Sequence, residues 1–236
     1  MLGHRVLSKF SWGLILALVV VILAYSYNAT QSRGSDYLSY SIVNSLEHVS
    51  LDELDDAMHP FLAQSFWEVD LLGLKQTLEQ VSWIQSATIK RSWPGYLEVS
   101  IQEHQPIARW GDNGLISQEG KLFIPQSRAG FDHLIQLDGD RLQVPQLLAA
   151  LAAFEKNLAQ LGWQVVALSQ QVDGVFRVES ETGLSLVVDA PNWTHKLERF
   201  VKAYPQLSKK LVESAHSYDL RYSNGVAIKT SPNLIH

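Results

Sequence analysis

The sequence predicts an α+β protein: an N-terminal transmembrane helix, a β-α-α-β-β domain, then a mixed α/β domain built on an antiparallel sheet. Three observations predict it. Residues 10–27 carry no charge. Capped amphipathic helical stretches are followed by runs in which apolar and polar residues alternate. A series of short β-favouring runs, punctuated by glycine turns and two more helical stripes, fills the remainder.

The charge-free run from Phe10 to Tyr27 is centred on GLILALVVVILA, Gly13 to Ala24. At about 1.5 Å per residue it reaches about 27 Å, enough to cross a hydrocarbon core. Trp12, Tyr25 and Tyr27 stand at its ends as membrane-anchoring residues. Arg5 and Lys9 precede the run and only Arg33 follows closely, which favours a cytoplasmic N-terminus. A cleaved signal peptide is the competing reading, because Ala24-Tyr25-Ser26 is a small-x-small site. Both readings put residues 28–236 across the membrane. The expected organisation is a tail over 1–9, the helix over 10–27, a polar linker over 28–36, a first domain over 37–104, a second over 105–230 and a tail over 231–236.

In the first domain, Tyr37 to Val49 reads as a strand. Ser50-Leu51-Asp52-Glu53 is a capping box, and Leu51, Leu54, Met58, Phe61 and Leu62 form one stripe of a helix over about 51–63. Asp70 is a second N-cap, followed by Leu71, Leu72, Leu74, Leu78 and Val81. Strands follow at Ile84 to Arg91 and Tyr96 to Glu103, turned by Trp93-Pro94-Gly95. Alternation of Leu97, Val99 and Ile101 with Glu98, Ser100 and Gln102 buries one face of the second strand.

In the second domain, Ile107 to Trp110, Leu115 to Ser117, Lys121 to Ile124 and Leu134 to Leu137 read as strands. A helix fits 144–161. Strands at Gln164 to Ser169, Val175 to Ser180 and Leu184 to Asp189 precede a helix capped by Asn192, with the stripe Trp193, Leu197, Phe200, Val201 and Tyr204, ended by Pro205. The chain closes with Ser217 to Tyr222, the turn Ser223-Asn224-Gly225, and Val226 to Thr230. Asn-Gly there is a strong hairpin signal. A terminal strand is often an edge strand, whose free N–H and C=O groups can template a partner strand.

The 236 residues are 46% hydrophobic and 18% charged with a net charge of −5, a balance that argues against nucleic acid as a partner. The absence of cysteine excludes disulfides, thiol catalysis and cysteine–zinc sites. No two of the eight histidines stand at i, i+3 or i, i+4, and lone histidines such as His104 and His195 read as surface or satisfied residues. Neither a G-x-S-x-G elbow nor a phosphate-binding glycine loop is present. Asp52, Asp55 and Asp56 read as the solvated face of an acid-rich helix rather than a hydrolytic pair. No enzyme activity, metal or cofactor is expected, and the pattern points to an anchored binding protein.

Trp83-Ile84, Lys90-Arg91, Trp93-Pro94, and Glu103 through Pro106-Ile107-Ala108-Arg109-Trp110 resemble the heart of the FtsQ/DivIB cell-division family. Glu119-Gly120 to Pro125 continues the likeness. Arg199-Phe200-Val201 with Tyr204-Pro205, then Asp219-Leu220-Arg221-Tyr222 with Gly225, are similar to that family's C-terminal region. The resemblance implies a POTRA domain followed by the family's β-domain, in a non-catalytic single-pass inner-membrane protein at the division septum, its C-terminal domains periplasmic. It also implies a lipid bilayer around one helix and divisome partners: FtsB and FtsL, with FtsB adding a strand beside the last β-strand, and other divisome proteins at the POTRA domain. The implied partner-binding residues are Arg221, Tyr222, Asn224, Gly225, Val226 and Ile228. Three departures stand out: the N-terminal tail is very short, Asn224 stands where a serine is expected, and an upstream partner-contacting arginine falls near Asp173-Gly174. A POTRA-containing component of envelope assembly or secretion is the alternative; only one such module is visible here.

Overall fold

The computed structural model describes residues 17–26, 38–93 and 95–230. Residues 17–26 form a helix, α1, whose side chains are all exposed, Tyr25 at 78%. Among the described residues no helix is long and apolar enough to cross a membrane. Trp12 and Tyr27, with residues 10–16 of the expected span, lie outside the described residues. The chain divides into two compact units between Glu103 and His104.

The first unit runs β1 (Ser39–Ile42), α2 (Leu51–Leu62), α3 (Leu71–Leu78), β2 (Ile84–Ser92) and β3 (Tyr96–Glu103). The sheet order is β1-β3-β2, with β1 parallel and β2 antiparallel to the central strand. Both helix starts form as the sequence predicts. The Ser50 hydroxyl accepts from the Glu53 N–H at 3.1 Å while the Glu53 carboxylate accepts from the Ser50 N–H. Asp70 Oδ1 accepts from the N–H groups of Leu72 and Gly73. A Cβ on Gly73 would lie 2.5 Å from Asp70 Oδ2, so glycine lets the cap close. Leu54, Met58, Leu74, Leu78, Ile84, Leu97 and Val99 are fully buried between helices and sheet.

The strand expected over 37–49 is shorter, because side chains replace its ladder. Asn44 donates to the Ile101 carbonyl at 2.8 Å and accepts from the Ile101 N–H at 3.0 Å, mimicking one backbone pair. The Glu103 carboxylate then accepts from the N–H groups of Glu47, His48 and Val49, the last at 2.7 Å. Burial alone would raise the Glu103 pKa, but these donors outweigh it and hold the carboxyl below its usual range.

The second unit contains one nine-stranded sheet. Its strands are β4 (Pro106–Trp110), β5 (Gly114–Ser117), β6 (Leu122–Phe123), β7 (Ile135–Asp138), β8 (Val165–Gln170), β9 (Phe176–Ser180), β10 (Ser185–Val188), β11 (Ala215–Asp219) and β12 (Ala227–Thr230). They lie in the order β12-β11-β10-β9-β8-β7-β4-β5-β6. The expected antiparallel sheet is in fact mixed: β4/β7, β7/β8 and β10/β11 are parallel. Helices account for two of these three pairs. A parallel neighbour needs a crossover connection, and α4 (Val144–Leu158) carries the chain from β7 to β8. Likewise α5 (Trp193–Ala203) and α6 (Lys209–Ser214) carry it from β10 to β11. The short α6, with no marked apolar stripe, is not foreseen from the sequence. Asn192 holds the N-cap position of α5 but in a left-handed conformation, φ 57°, without a side-chain cap bond. Tight turns form at Gly120 and Gly183 with φ of 78° and 79°, which glycine accepts without steric cost.

Apolar stripes of α4 and α5 meet the sheet. Phe154 is fully buried, stacked on Trp193 at 4.8 Å and edge-on to Phe176. Trp163, Phe200, Tyr204 and Tyr218 form a second aromatic group with ring separations of 5.2 to 5.8 Å. Phe154→Ala is expected to cost about 3–5 kcal/mol of stability, because it removes buried contacts and leaves a void beside Trp193. Chemical denaturation checks this; a loss below about 1 kcal/mol would show that the site collapses around the change.

Candidate functional site: the β12 edge and the loop before it

The nine-stranded sheet ends at β12, and among the described residues no strand lies beyond it. The register pairs Ala227 with Asp219 and Ile228 with Tyr218. Ile228 and Val226 are half-buried and pack against the core, whereas Ala227, Lys229 and Thr230 are exposed. The strand therefore presents one free backbone edge and an exposed row of small and polar side chains.

The connection from β11 differs from the expected hairpin. Asn224 and Gly225 both lack positive φ, so no two-residue Asn-Gly turn forms, and residues 220–226 make a seven-residue loop. Arg221 and Tyr222, expected in a strand, lie in this loop, and Val226 precedes β12 instead of belonging to it. Leu220 donates its N–H to the Val187 carbonyl at 2.7 Å, continuing the β10 ladder by one bond.

Polar side chains from two directions hold the loop. Arg221 folds back on Asp219: Nη2 lies 2.7 Å from Oδ2, Nε reaches both carboxylate oxygens, and the Arg221 N–H adds a bond at 3.1 Å. Asp219 is only 5% exposed. The Arg221 hydrogen bonds hold its carboxyl below the usual range against the opposing effect of burial, with Lys229 contributing in the same direction as the arginine. Asp173 adds a further attraction at Arg221. From α5, Lys196 bonds the Asp189 carboxylate at 2.5 Å and the Arg221 carbonyl at 3.2 Å, and Arg199 donates to the carbonyls of Ser223 and Tyr222. Three consecutive carbonyls, 221 to 223, are thus fixed by two cations one helical turn apart.

This clamp leaves Tyr222 59% exposed, with Asn224 and Gly225 exposed beside it. Of the six residues singled out from the sequence, Tyr222, Asn224 and Gly225 are surface features of the loop. Arg221 is engaged within the chain, and Val226 and Ile228 anchor the edge strand to the core. The positioning roles of Asp219, Lys196 and Arg199 escape sequence reasoning; the i, i+3 spacing of two cations on the polar face of α5 is the signal available.

Elsewhere among the described residues, titratable groups do not assemble into a reactive site. Asp55 accepts the Tyr40 hydroxyl, which leaves the α2 acids on a solvated face. His104, expected at the surface or satisfied, is instead buried against Phe123, with neither ring nitrogen hydrogen-bonded and Glu119 3.9 Å from Nδ1. Burial, then Lys121, lower its pKa, with Glu119 opposing. Among the described residues no group of three or more His, Asp or Glu could hold a metal ion.

Fold and edge define a class: a β-α-α-β-β module followed by a mixed-sheet domain with an open C-terminal edge. Residues 40–104 match the POTRA domain of FtsQ type, and residues 108–221 match the C-terminal domain of cell division protein FtsQ/DivIB. Relatives named cell division protein FtsQ include one from Allochromatium vinosum, 32% identical over 81% of this chain and 77% of the relative. Another, from Coxiella burnetii, is 28% identical over 91% and 89%, and a third, from Nitrosospira multiformis, is 28% identical over 78% and 77%. The chain belongs to the FtsQ/DivIB family of cell-division proteins.

A depressed Asp219 pKa gives stability that is complete above the unfolded value of about 3.9 and lost as pH falls through the native value. Wild type is therefore expected to lose more stability on acidification below about pH 4 than Asp219→Asn does. Parallel acid titrations followed by circular dichroism check this; identical pH slopes would remove the ion pair from the account. The double substitution Lys196→Ala, Arg199→Ala is expected to speed amide exchange over 221–225 with little change in global unfolding.

Proposed function

We propose that this chain is a non-catalytic, single-pass inner-membrane scaffold of the divisome. Its N-terminus is cytoplasmic, the span covers 10–27 with Trp12, Tyr25 and Tyr27 at the interfaces, and the POTRA domain (37–104) and β-domain (105–230) are periplasmic at the septum. The β-domain captures FtsB, together with FtsL, by strand addition along β12, and so helps control septal peptidoglycan synthesis. The POTRA domain is left for other divisome proteins.

One observation carries the reading: β12 is the outermost strand of its sheet, and a rigidly held loop presents Tyr222 next to it. An added strand would gain main-chain hydrogen bonds from the free side of 227–230. A flat aromatic ring beside the edge suits an interface hot spot. The Asp219–Arg221 pair would act as a support, with the outer face of the guanidinium left to meet a partner acid.

The test is a binding titration of the full chain in lipid nanodiscs against a synthetic peptide from the periplasmic C-terminal part of FtsB. Saturable binding is expected, and Tyr222→Ala is expected to weaken it by about 2 kcal/mol, roughly thirtyfold. Unchanged affinity would remove Tyr222 from the site. No binding by the folded wild type would overturn the partner assignment.

A further inference from the structure

We propose that the end of the first unit carrying Trp67 and Trp93 rests in the lipid–water interface of the membrane that anchors the chain. This inference depends on the anchored reading given above. Trp93 is 82% exposed and Trp67 is 76% exposed, whereas Trp83, Trp110 and Trp163 are all buried in the cores of their units. Leu72, at the start of α3, is exposed as well.

The two indoles share one end of the unit. Trp93 follows Ser92, the last residue of β2, which pairs with Tyr96 at the start of β3. Arg91 donates through Nε to the Phe66 carbonyl at 3.0 Å and through Nη2 to the carbonyls of Trp67 and Val69. That side chain ties the Trp67 turn to the end of β2. Phe66, buried beneath, meets the Trp67 ring edge-on at 4.9 Å and supports its outward pose.

The chain enters the unit at this same end. Ser39, the first residue of β1, pairs in parallel with Tyr96. Residues 27–38 separate it from α1, and fully extended they reach about 40 Å. The Trp67–Trp93 end is therefore the tethered end, held near the bilayer at high effective concentration. Indole is amphipathic, with a flat apolar body and one N–H donor, and it favours the headgroup level of a bilayer. Glu68 and Asp70 follow Trp67 while Lys90 and Arg91 precede Trp93, so this end carries both signs and the contact needs no anionic lipid. Two rings on separate turn tips suit a fluid interface better than they suit a shaped protein groove.

The chain has no cysteine, so single introduced cysteines each report one position. Trp93→Cys, Trp67→Cys, Glu47→Cys and Val20→Cys, each labelled with an environment-sensitive fluorophore, are placed as full chains in phosphatidylcholine liposomes containing nitroxide lipid, headgroup-level for positions 47, 67 and 93 and acyl-chain-level for position 20. Glu47 serves as the far-end control, because its N–H bonds Glu103 at the other end of β3. Quenching at 67 and 93 is expected to exceed that at 47 by roughly threefold or more, with or without anionic lipid. Quenching at 67 and 93 equal to that at 47, with Val20 strongly quenched, overturns the contact and leaves the anchor standing. Protection from aqueous iodide without lipid quenching also overturns it, in favour of a protein partner. An unquenched Val20 overturns the anchored reading and this inference together. As a readout free of cysteine variants, brominated lipid should quench wild-type tryptophan emission more than that of Trp67→Phe, Trp93→Phe; equal quenching counts against the contact.

Discussion

The parallel pairing of β10 with β11 is the constraint on which the second unit depends. A parallel neighbour cannot be reached by a tight turn, so the chain must leave the sheet and return through α5 and α6. The aromatic group of Trp163, Phe200, Tyr204 and Tyr218 seats that excursion on the sheet. From β11 the chain turns back antiparallel as β12, the outer strand of the sheet among the described residues. The polar face of the same crossover helix carries Lys196 and Arg199, which fix the loop leading to that edge. Core, edge and loop share a single structural origin.

The first unit shows the same economy with side chains in place of strands. Asn44 and Glu103 satisfy backbone groups that a longer β1 would have paired, so the chain leaves the sheet early without stranding buried donors. The Glu103 carboxylate collects three successive N–H groups in a concave turn, the geometry in which an anion gains most from backbone dipoles. Arg91 performs the complementary task at the opposite end, gathering carbonyls from 66 to 69. An acid and a base at the two ends of one hairpin hold the flanking loops.

Much of this was legible in the sequence, for reasons that differ by element. Ser50, Glu53 and Asp70 were readable because capping is local chemistry. The alternation of β3 was readable because one face meets water. Sheet direction was not, although both crossover helices were visible between the strands they connect; β-runs alone carry no sign of parallel or antiparallel pairing. The Asn224-Gly225 turn was misread because its preference is overridden by bonds from residues 196, 199 and 219, all outside the segment. The Asp219–Arg221 pair was not foreseen either; it engages the guanidinium and still leaves the Arg221 side chain half exposed. The edge position of β12 was legible from its place at the end of the last hairpin, and the exposure of Tyr222 follows from a clamp that only tertiary structure brings together.

The free side of β12 is proposed to receive a partner strand. Amide hydrogen exchange tests it most directly, measured on the full chain in nanodiscs with and without the periplasmic FtsB peptide. Amides within 227–230 are expected to slow markedly on binding, while those of β6 at the opposite edge of the sheet are expected not to change. Saturable binding that leaves 227–230 unprotected, or that protects β6 instead, would contradict it.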